Sequence, residues 1–257
     1  MSNVTPPTPL RAAHIAPGAP LHGTLKGALA TLVLMLLALL FWQLLDQLQQ
    51  NQKNQQQYTI DYSADLAEQI SLNMALSAQI ALNLLPMVEP PRNDEQQQAL
   101  MLSLQRSLPE LRSFALLAPS GAMIRDTAKD SQDSDFLEEL VKRSHSQPYY
   151  LSNDNNGTII YLLLHQPSGD SKMYWALRLA PNYLANLTRQ DGQGQRPMWA
   201  VENRLNHHVV SRDSGMPTQL AAALTPDELK KSVLVTPLSK SDWQLRGLFD
   251  RNAVLEQ

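Results

Sequence analysis

From Gly27 to Leu45 the chain reads GALATLVLMLLALLFWQLL, nineteen residues without a charge. Only Thr31 and Gln43 are polar. A helix rises about 1.5 Å per residue, so this run covers about 28 Å, close to the hydrocarbon thickness of a bilayer. Phe41 and Trp42 stand at one end, where aromatic rings favour the membrane interface. A cleaved signal sequence has a shorter apolar stretch and ends in small residues. This run ends in bulky Phe41, Trp42 and Leu44 and follows a 26-residue leader, so residues 27–45 are read as an uncleaved transmembrane helix.

Flanking charge gives the orientation. Arg11 and Lys26 precede the span, and residues 1–26 hold no Asp or Glu. Asp46, Lys53, Asp61, Asp65 and Glu68 follow it. The positive-inside rule puts the N-terminus in the cytoplasm and the chain from Asp46 outside. Residues 1–26, with Pro6, Pro7, Pro9, Pro17 and Pro20, read as a disordered cytoplasmic tail. A second uncharged stretch, Ile70 to Val88, contains Asn73, Gln79, Asn83 and Pro86. Amides are costly in lipid without partners, so this stretch is expected to be a helix in water.

The composition excludes several classes. With no cysteine there is no disulfide scaffold, thiolate metal site or cysteine nucleophile. A net charge of -3 argues against a broadly basic nucleic-acid binder. Nucleophile elbows, P-loops, dinucleotide fingerprints and zincin motifs are absent, so neither an enzyme nor a cofactor is expected. His207 and His208 are adjacent and would point to opposite faces of a strand, so no metal is expected there.

Residues 46–88 read as a stalk helix. No Gly or Pro interrupts the chain between Asp46 and Pro86. Tyr62, Leu66, Ile70 and Met74 recur every fourth residue, and Ala81, Leu84 and Val88 continue the stripe. Such a stripe either docks onto the following domain or forms the seam of a weak parallel homodimer.

Residues 89–257 read as one domain. A helix is expected over Asp94–Ser107, then a hairpin over SFALLAPSGAMIRDT with its turn at Pro119-Ser120-Gly121. Asp135 with Glu138 resembles a helix cap, opening a helix to Ser144. Asn153–Gly157 reads as a loop. Strands follow over TIIYLLLH and Lys172–Ala180, then a short helix over Pro181–Leu187 and a strand pair at Met198–Glu202 and Val209–Arg212. Thr225-Pro226-Asp227-Glu228 carries N-cap, N1 proline and N3 acid. Strands at Ser232–Thr236 and Trp243–Phe249 close the chain. The expected fold class is α+β: a transmembrane helix, a stalk helix and one antiparallel sheet with short helices.

The segments SFALLAPSGAMIRDT, GTIIYLLLH and MYWALRLAPNYLANL, in this order after a span and a long helix, resemble a Cache domain. This is the PAS-like extracytoplasmic sensor module of bacterial receptors. The resemblance covers about Tyr62 to Phe249 and is strongest in style to the N-terminal halves of membrane-bound GGDEF/EAL cyclic-di-GMP proteins. Neither a GGDEF nor an EAL signature occurs within the sequence. The resemblance implies a bacterial inner-membrane protein whose periplasmic domain senses a small molecule or a periplasmic protein. Met198–Phe249 is a candidate second, smaller lobe of the double-Cache kind. The rival class is a bitopic envelope scaffold that binds protein partners and no small ligand.

Strand alternation nominates a site. Met173, Trp175, Leu177 and Leu179 alternate with Tyr174, Ala176, Arg178 and Ala180, and Ile160, Leu162 and Leu164 alternate with Ile159, Tyr161, Leu163 and His165. If the first set of each strand packs the core, Tyr161, Tyr174 and Arg178 share the other face. There they are candidates to hold a small anionic ligand, and Arg125 and Tyr150 are the ligand-binding candidates if the pocket lies elsewhere. The alternative is a helix-covered face with ordinary tyrosines.

The topology is tested with reporter fusions after Leu45 and at Gln257. Both are expected to read as exported, and a cytoplasmic signal at Gln257 would mean that Ile70–Val88 crosses the membrane.

Overall fold

The structure is a computed structural model and describes residues 21–85, 90–128, 133–154, 156–168, 171–188, 197–213 and 220–250. The expected tail lies, up to residue 20, outside the described residues. The chain divides into two compact units, residues 1–51 and 52–257.

Helix α1 (Leu21–Leu84) is unbroken, as the absence of Gly and Pro after the span predicts. In the first unit it carries the apolar run. Leu32, Leu36 and Leu40 are 51–60% exposed there, and Trp42 is 73% exposed. Apolar residues exposed on every side are not those of an amphipathic surface helix. Among the described residues α1 is the one helix long and apolar enough to cross a membrane.

In the second unit the same helix is amphipathic. Leu66, Ile70, Met74, Ala78 and Ala81 are at most 1% exposed and lie in the main hydrophobic core. The stripe therefore docks onto the domain, and the stretch from Ile70 is a core helix. Each such Leu, Ile or Met contributes about 1.5–3 kcal/mol by leaving water. Leu72 and Leu76, on the opposite face, are about 60% exposed.

Helix α2 (Asp94–Ser107) is capped by Asn93, whose side chain accepts from the Gln96 amide. Strands β1 (Leu111–Leu117) and β2 (Met123–Asp126) form the expected hairpin. Gly121 at its turn has φ +90°, and a Cβ there would meet the Glu138 backbone at 2.5 Å. Helix α3 (Ser134–Ser144) holds Asp135, the expected cap, inside its first turn, and the cap falls two residues earlier. Its N-cap is Asp133, which makes no side-chain cap bond because its carboxylate is engaged elsewhere.

Strand β3 (Tyr149–Asn153) has no counterpart in the sequence reading. All five of its residues are buried, so it lacks the alternation that marks a half-buried strand. Strands β4 (Ile160–Ser168) and β5 (Ser171–Leu179) follow, then α4 (Asn182–Leu187). The sheet order is β2-β1-β5-β4-β3, antiparallel throughout.

The remaining strands form a second sheet, on the stretch named as a candidate second lobe, where the expected fold class had one sheet. Its order is β7-β6-β9-β8, with β6 at Met198–Asn203, β7 at Val209–Arg212, β8 at Ser232–Pro237 and β9 at Trp243–Leu248. Helix α5 (Pro226–Lys230) opens with the predicted reciprocal cap between Thr225 and Glu228. The sheets join along β3. The Leu151 amide donates to the Lys240 carbonyl, and the Asp242 amide donates to the Leu151 carbonyl, both at 3.0 Å.

Both faces of the first sheet are buried. Phe114, Leu116, Leu162, Trp175 and Leu177 share a core with α1, α2 and the second sheet's Trp199, Trp243 and Leu245. A register shift between Leu111 and Ser113 sets which residues of β1 face that core. Ala115, Leu117, Tyr161, Leu163, Tyr174 and Ala176 pack with Leu137, Leu140 and Val141 of α3.

Strand β9 touches α1 closely. A Cβ on Gly247 would lie 2.3 Å from Ser63 Oγ. Gly247→Ala is expected to cost about 1–3 kcal/mol through overpacking. Among the described residues Ser63 Oγ is buried with no hydrogen-bond partner, so Ser63→Ala is expected to be neutral or stabilising. Trp175→Ala is expected to cost about 3–5 kcal/mol through the cavity it leaves. Chemical denaturation of the three variants checks the ranking.

Candidate functional site

Antiparallel register places Arg178 of β5 beside Tyr161 of β4 on one side and Ser113 of β1 on the other. Arg178 is 3% exposed. A buried guanidinium needs acceptors for its five N–H groups. Nε donates to Asp133 Oδ2 at 2.7 Å, and Nη2 donates to Asp133 Oδ1 at 3.0 Å. Nη1 and Nη2 donate to the two oxygens of Asp126 at 2.7 and 2.8 Å. Nη1 also donates to Ser113 Oγ at 3.3 Å. Every donor is thus committed, four of them to two carboxylates gripped pairwise.

Tyr161 completes the cluster, its hydroxyl donating to Asp133 Oδ2 at 2.7 Å and its ring packing on Phe136 at 4.8 Å. Burial pushes the Tyr161 phenol well above its ordinary value, and its bond to Asp133 pushes it further. Burial alone would raise the Asp133 carboxyl, but hydrogen bonds from Arg178 and Tyr161 outweigh it and hold the group below its ordinary value. Burial opposes the charge on Arg178, yet bonding to both acids raises its pKa. The arrangement ties the start of α3 and the end of β2 to the sheet centre.

Tyr174 lies on the same face. It is buried, stacks on His165 at 4.9 Å, and its hydroxyl is 3.4 Å from Ser146 Oγ. Tyr150 packs into the same α3-side core from β3, and its hydroxyl donates to Asp242 Oδ1 at 2.8 Å. Burial, reinforced by that carboxylate, pushes the Tyr150 phenol up to about 12. Ser152 Oγ and Arg143 Nη1 donate to Asp242 Oδ2 at 2.6 and 2.5 Å. Tyr150 also lines an open cleft of about 390 Å³ with Arg143, Arg204 and Lys240.

Arg125 stands apart. Its guanidinium donates to the carbonyls of Pro91 and Arg92, at 2.6 and 3.3 Å, and so ties β2 to the segment before α2. The structure therefore brings Tyr161 and Arg178 together, sets Tyr174 and Tyr150 on the same helix-covered face, and places Arg125 elsewhere. Sequence reasoning missed Asp126, Asp133 and Asp242. The first two lie in loops or at strand ends where no period fixes their direction. Among the described residues no group of three His, Asp or Glu side chains is placed to hold a metal.

The extracellular domain of a protein assigned as a histidine kinase, rpHK1S-Z16, shares this fold with a TM-score of 0.50. Identity is 10%, over 79% of this chain and 97% of that one. An extracellular ligand-binding receptor from Desulfohalobium retbaense gives a TM-score of 0.47 at 13% identity, over 73% of this chain. The chain spans only 39% of that receptor. A domain of a sensory box/GGDEF family protein from Vibrio parahaemolyticus gives 0.42 at 15% identity, over 82% of this chain and 99% of that one. No protein-family model matches the sequence. No curated protein matches it. The fold is similar to that of the extracellular domain of rpHK1S-Z16, in line with the Cache resemblance.

Arg178→Ala is expected to cost about 3–5 kcal/mol, because it takes the buried guanidinium from two partly buried carboxylates. An arginine on an open face would cost under about 1 kcal/mol. Because the Asp133 carboxyl is held below its ordinary 3.8, its contribution is complete above about pH 4 and is lost as pH falls through the folded value. Acid unfolding of wild type and Asp133→Asn checks this: the variant should lose less stability below pH 4.

Proposed function

We propose that this chain is the sensing region of a membrane-anchored bacterial receptor. Its N-terminus is cytoplasmic, residues 27–45 cross the inner membrane, and the domain over residues 89–257 lies in the periplasm. The observation that carries this reading is α1: one unbroken helix holds the apolar run and also supplies Leu66, Ile70, Met74 and Ala78 to the sensor-fold core. A binding event that favours one core packing over another then biases the helix that enters the membrane.

The bound species is a small molecule or a periplasmic protein. On the face holding Tyr161, Tyr174 and Arg178, with Tyr150 at its margin, an anionic group reaches Arg178 by exchanging with Asp133 or Asp126. The exchange would release the start of α3 or the end of β2, and that release is the structural change to be read. Arg125 would follow by loosening the segment before α2. The output in this reading is a cyclic-di-GMP cyclase or phosphodiesterase, as the likeness in style to GGDEF/EAL proteins implies. The chain has no catalytic role of its own here.

A receptor of this layout works as a weak homodimer along the stalk. The stripe through Leu66 and Ile70 is occupied by the domain, so the contact falls on the opposite face, at Leu72 and Leu76. The absence of native cysteine makes this directly testable. Leu72→Cys or Leu76→Cys, oxidised in native membranes, is expected to give a cross-linked dimer, and the buried Ile70→Cys is not. Monomer alone at both exposed positions removes the stalk dimer.

A further inference from the structure

The cleft beside Tyr150 is built differently from the Arg178 cluster. Arg143 comes from α3, Arg204 from the turn after β6 and Lys240 from the turn before β9. Asp242 neutralises Arg143 by an ion pair of 2.5 Å. Arg143 also has the exposed Glu139 4.0 Å from its Nε, and among the described residues no carboxylate pairs with Arg204 or Lys240, which are the unpaired cations of the cleft. Both cations are held in place. Arg204 Nη2 donates to the Ser241 carbonyl at 2.6 Å, and Lys240 Nζ lies 4.4 Å from the centre of the Tyr149 ring.

Basic residues at the end of α3 are expected from its dipole alone, which accounts for Arg143. Arg204 and Lys240 belong to other elements and have no such reason to be there. Two further observations point to a ligand. Among the described residues Arg143 Nε is buried at the cleft with no hydrogen-bond partner, its charged neighbour there being Glu139 at 4.0 Å. His145, Ser146 and Lys240 adopt left-handed backbone conformations, with φ of 48°, 59° and 54°. Non-glycine residues held there carry strain, and such strain gathers at binding sites.

We propose that this cleft binds a phosphate dianion, free or as the monoester of a small organic molecule. A phosphate monoester near pH 7 carries about 1.5–2 negative charges, and free phosphate is partly dianionic, which suits the unpaired Arg204 and Lys240. Its oxygens accept from guanidinium and ammonium donors together, and Arg143 Nε supplies another. The volume, about 390 Å³, leaves room for an organic portion against Leu238 and Tyr150. The site is distinct from the Arg178 cluster, and binding there does not depend on whether the chain signals.

The test is calorimetric titration of the full chain in detergent micelles, at constant ionic strength, with inorganic phosphate and with glycerol 3-phosphate. Saturable binding of at least one is expected. The Arg204→Gln/Lys240→Asn double variant should weaken it by about tenfold or more, the effect of losing charge-assisted bonds. Asn tolerates the left-handed backbone at 240, so Lys240→Asn alone carries the test if the double variant does not fold. Lys230→Gln, an exposed lysine paired with Asp227, should change nothing. Tighter binding of glycerol 3-phosphate supports the monoester, and equal or tighter binding of phosphate supports the free ion. Absence of saturation with both probes overturns the proposal. So does unchanged affinity in the folded variants, or equal competition by acetate.

Discussion

A carboxylate inside a protein must be satisfied on every side, and Asp242 is satisfied by groups from two separate parts of the chain. Tyr150 and Ser152 of β3 and Arg143 of α3 all donate to it, while its own backbone bonds Leu151. Beside it, Asn153 Oδ1 accepts from Asn203 of β6 and from the Trp243 indole of β9, each at 2.8 Å. This polar seam is buried, so each bond is expensive to leave unmade. It fixes the second sheet against the first, and with it the shared core around Trp199, Trp243, Leu245 and α1. Removing the Asp242 carboxylate would loosen the seam, the cleft and the α1 contacts together.

The apolar and capping features were legible in the sequence. Period-2 alternation correctly sorted the two faces of β4 and β5, down to Trp175 facing one core and Arg178 the other. Thr225 to Glu228 predicted its own cap, and the turn at Gly121 was visible from residue type alone. What failed was long-range. β3 reads as Tyr-Tyr-Leu-Ser-Asn, and its last two residues are buried only because Asp242 and Trp243, some ninety residues on, bond them. The division into two sheets was legible only through the resemblance that set Met198–Phe249 apart as a candidate second lobe, because the strands of both carry the same local pattern and only pairing separates them.

The candidate site was legible by face but not by charge. Alternation gathered Tyr161, Tyr174 and Arg178, and the structure keeps them on one side of the sheet. It could not show that Asp126 and Asp133 would close on Arg178, since the end of a short strand and a helix N-cap have no period to place them. Nor could it find the cleft, whose cations come from three segments spread over about a hundred residues.

The bonds between Leu151 and residues 240–242 also decide how this domain can meet a copy of itself. A strand with free amides and carbonyls along one side is a template for adding another chain. On β3 that side is taken by the parallel bridge from Leu151 to Ser241. The opposite end of the sheet, β2, is only four residues long. In the second sheet, β7 is covered by backbone bonds from Val209 to Ala221 and Ala222, and β8 ends in Pro237, which has no amide to offer. Growth by strand addition is blocked at these borders. Any contact between copies is then left to side-chain surfaces, without the risk of irreversible sheet extension.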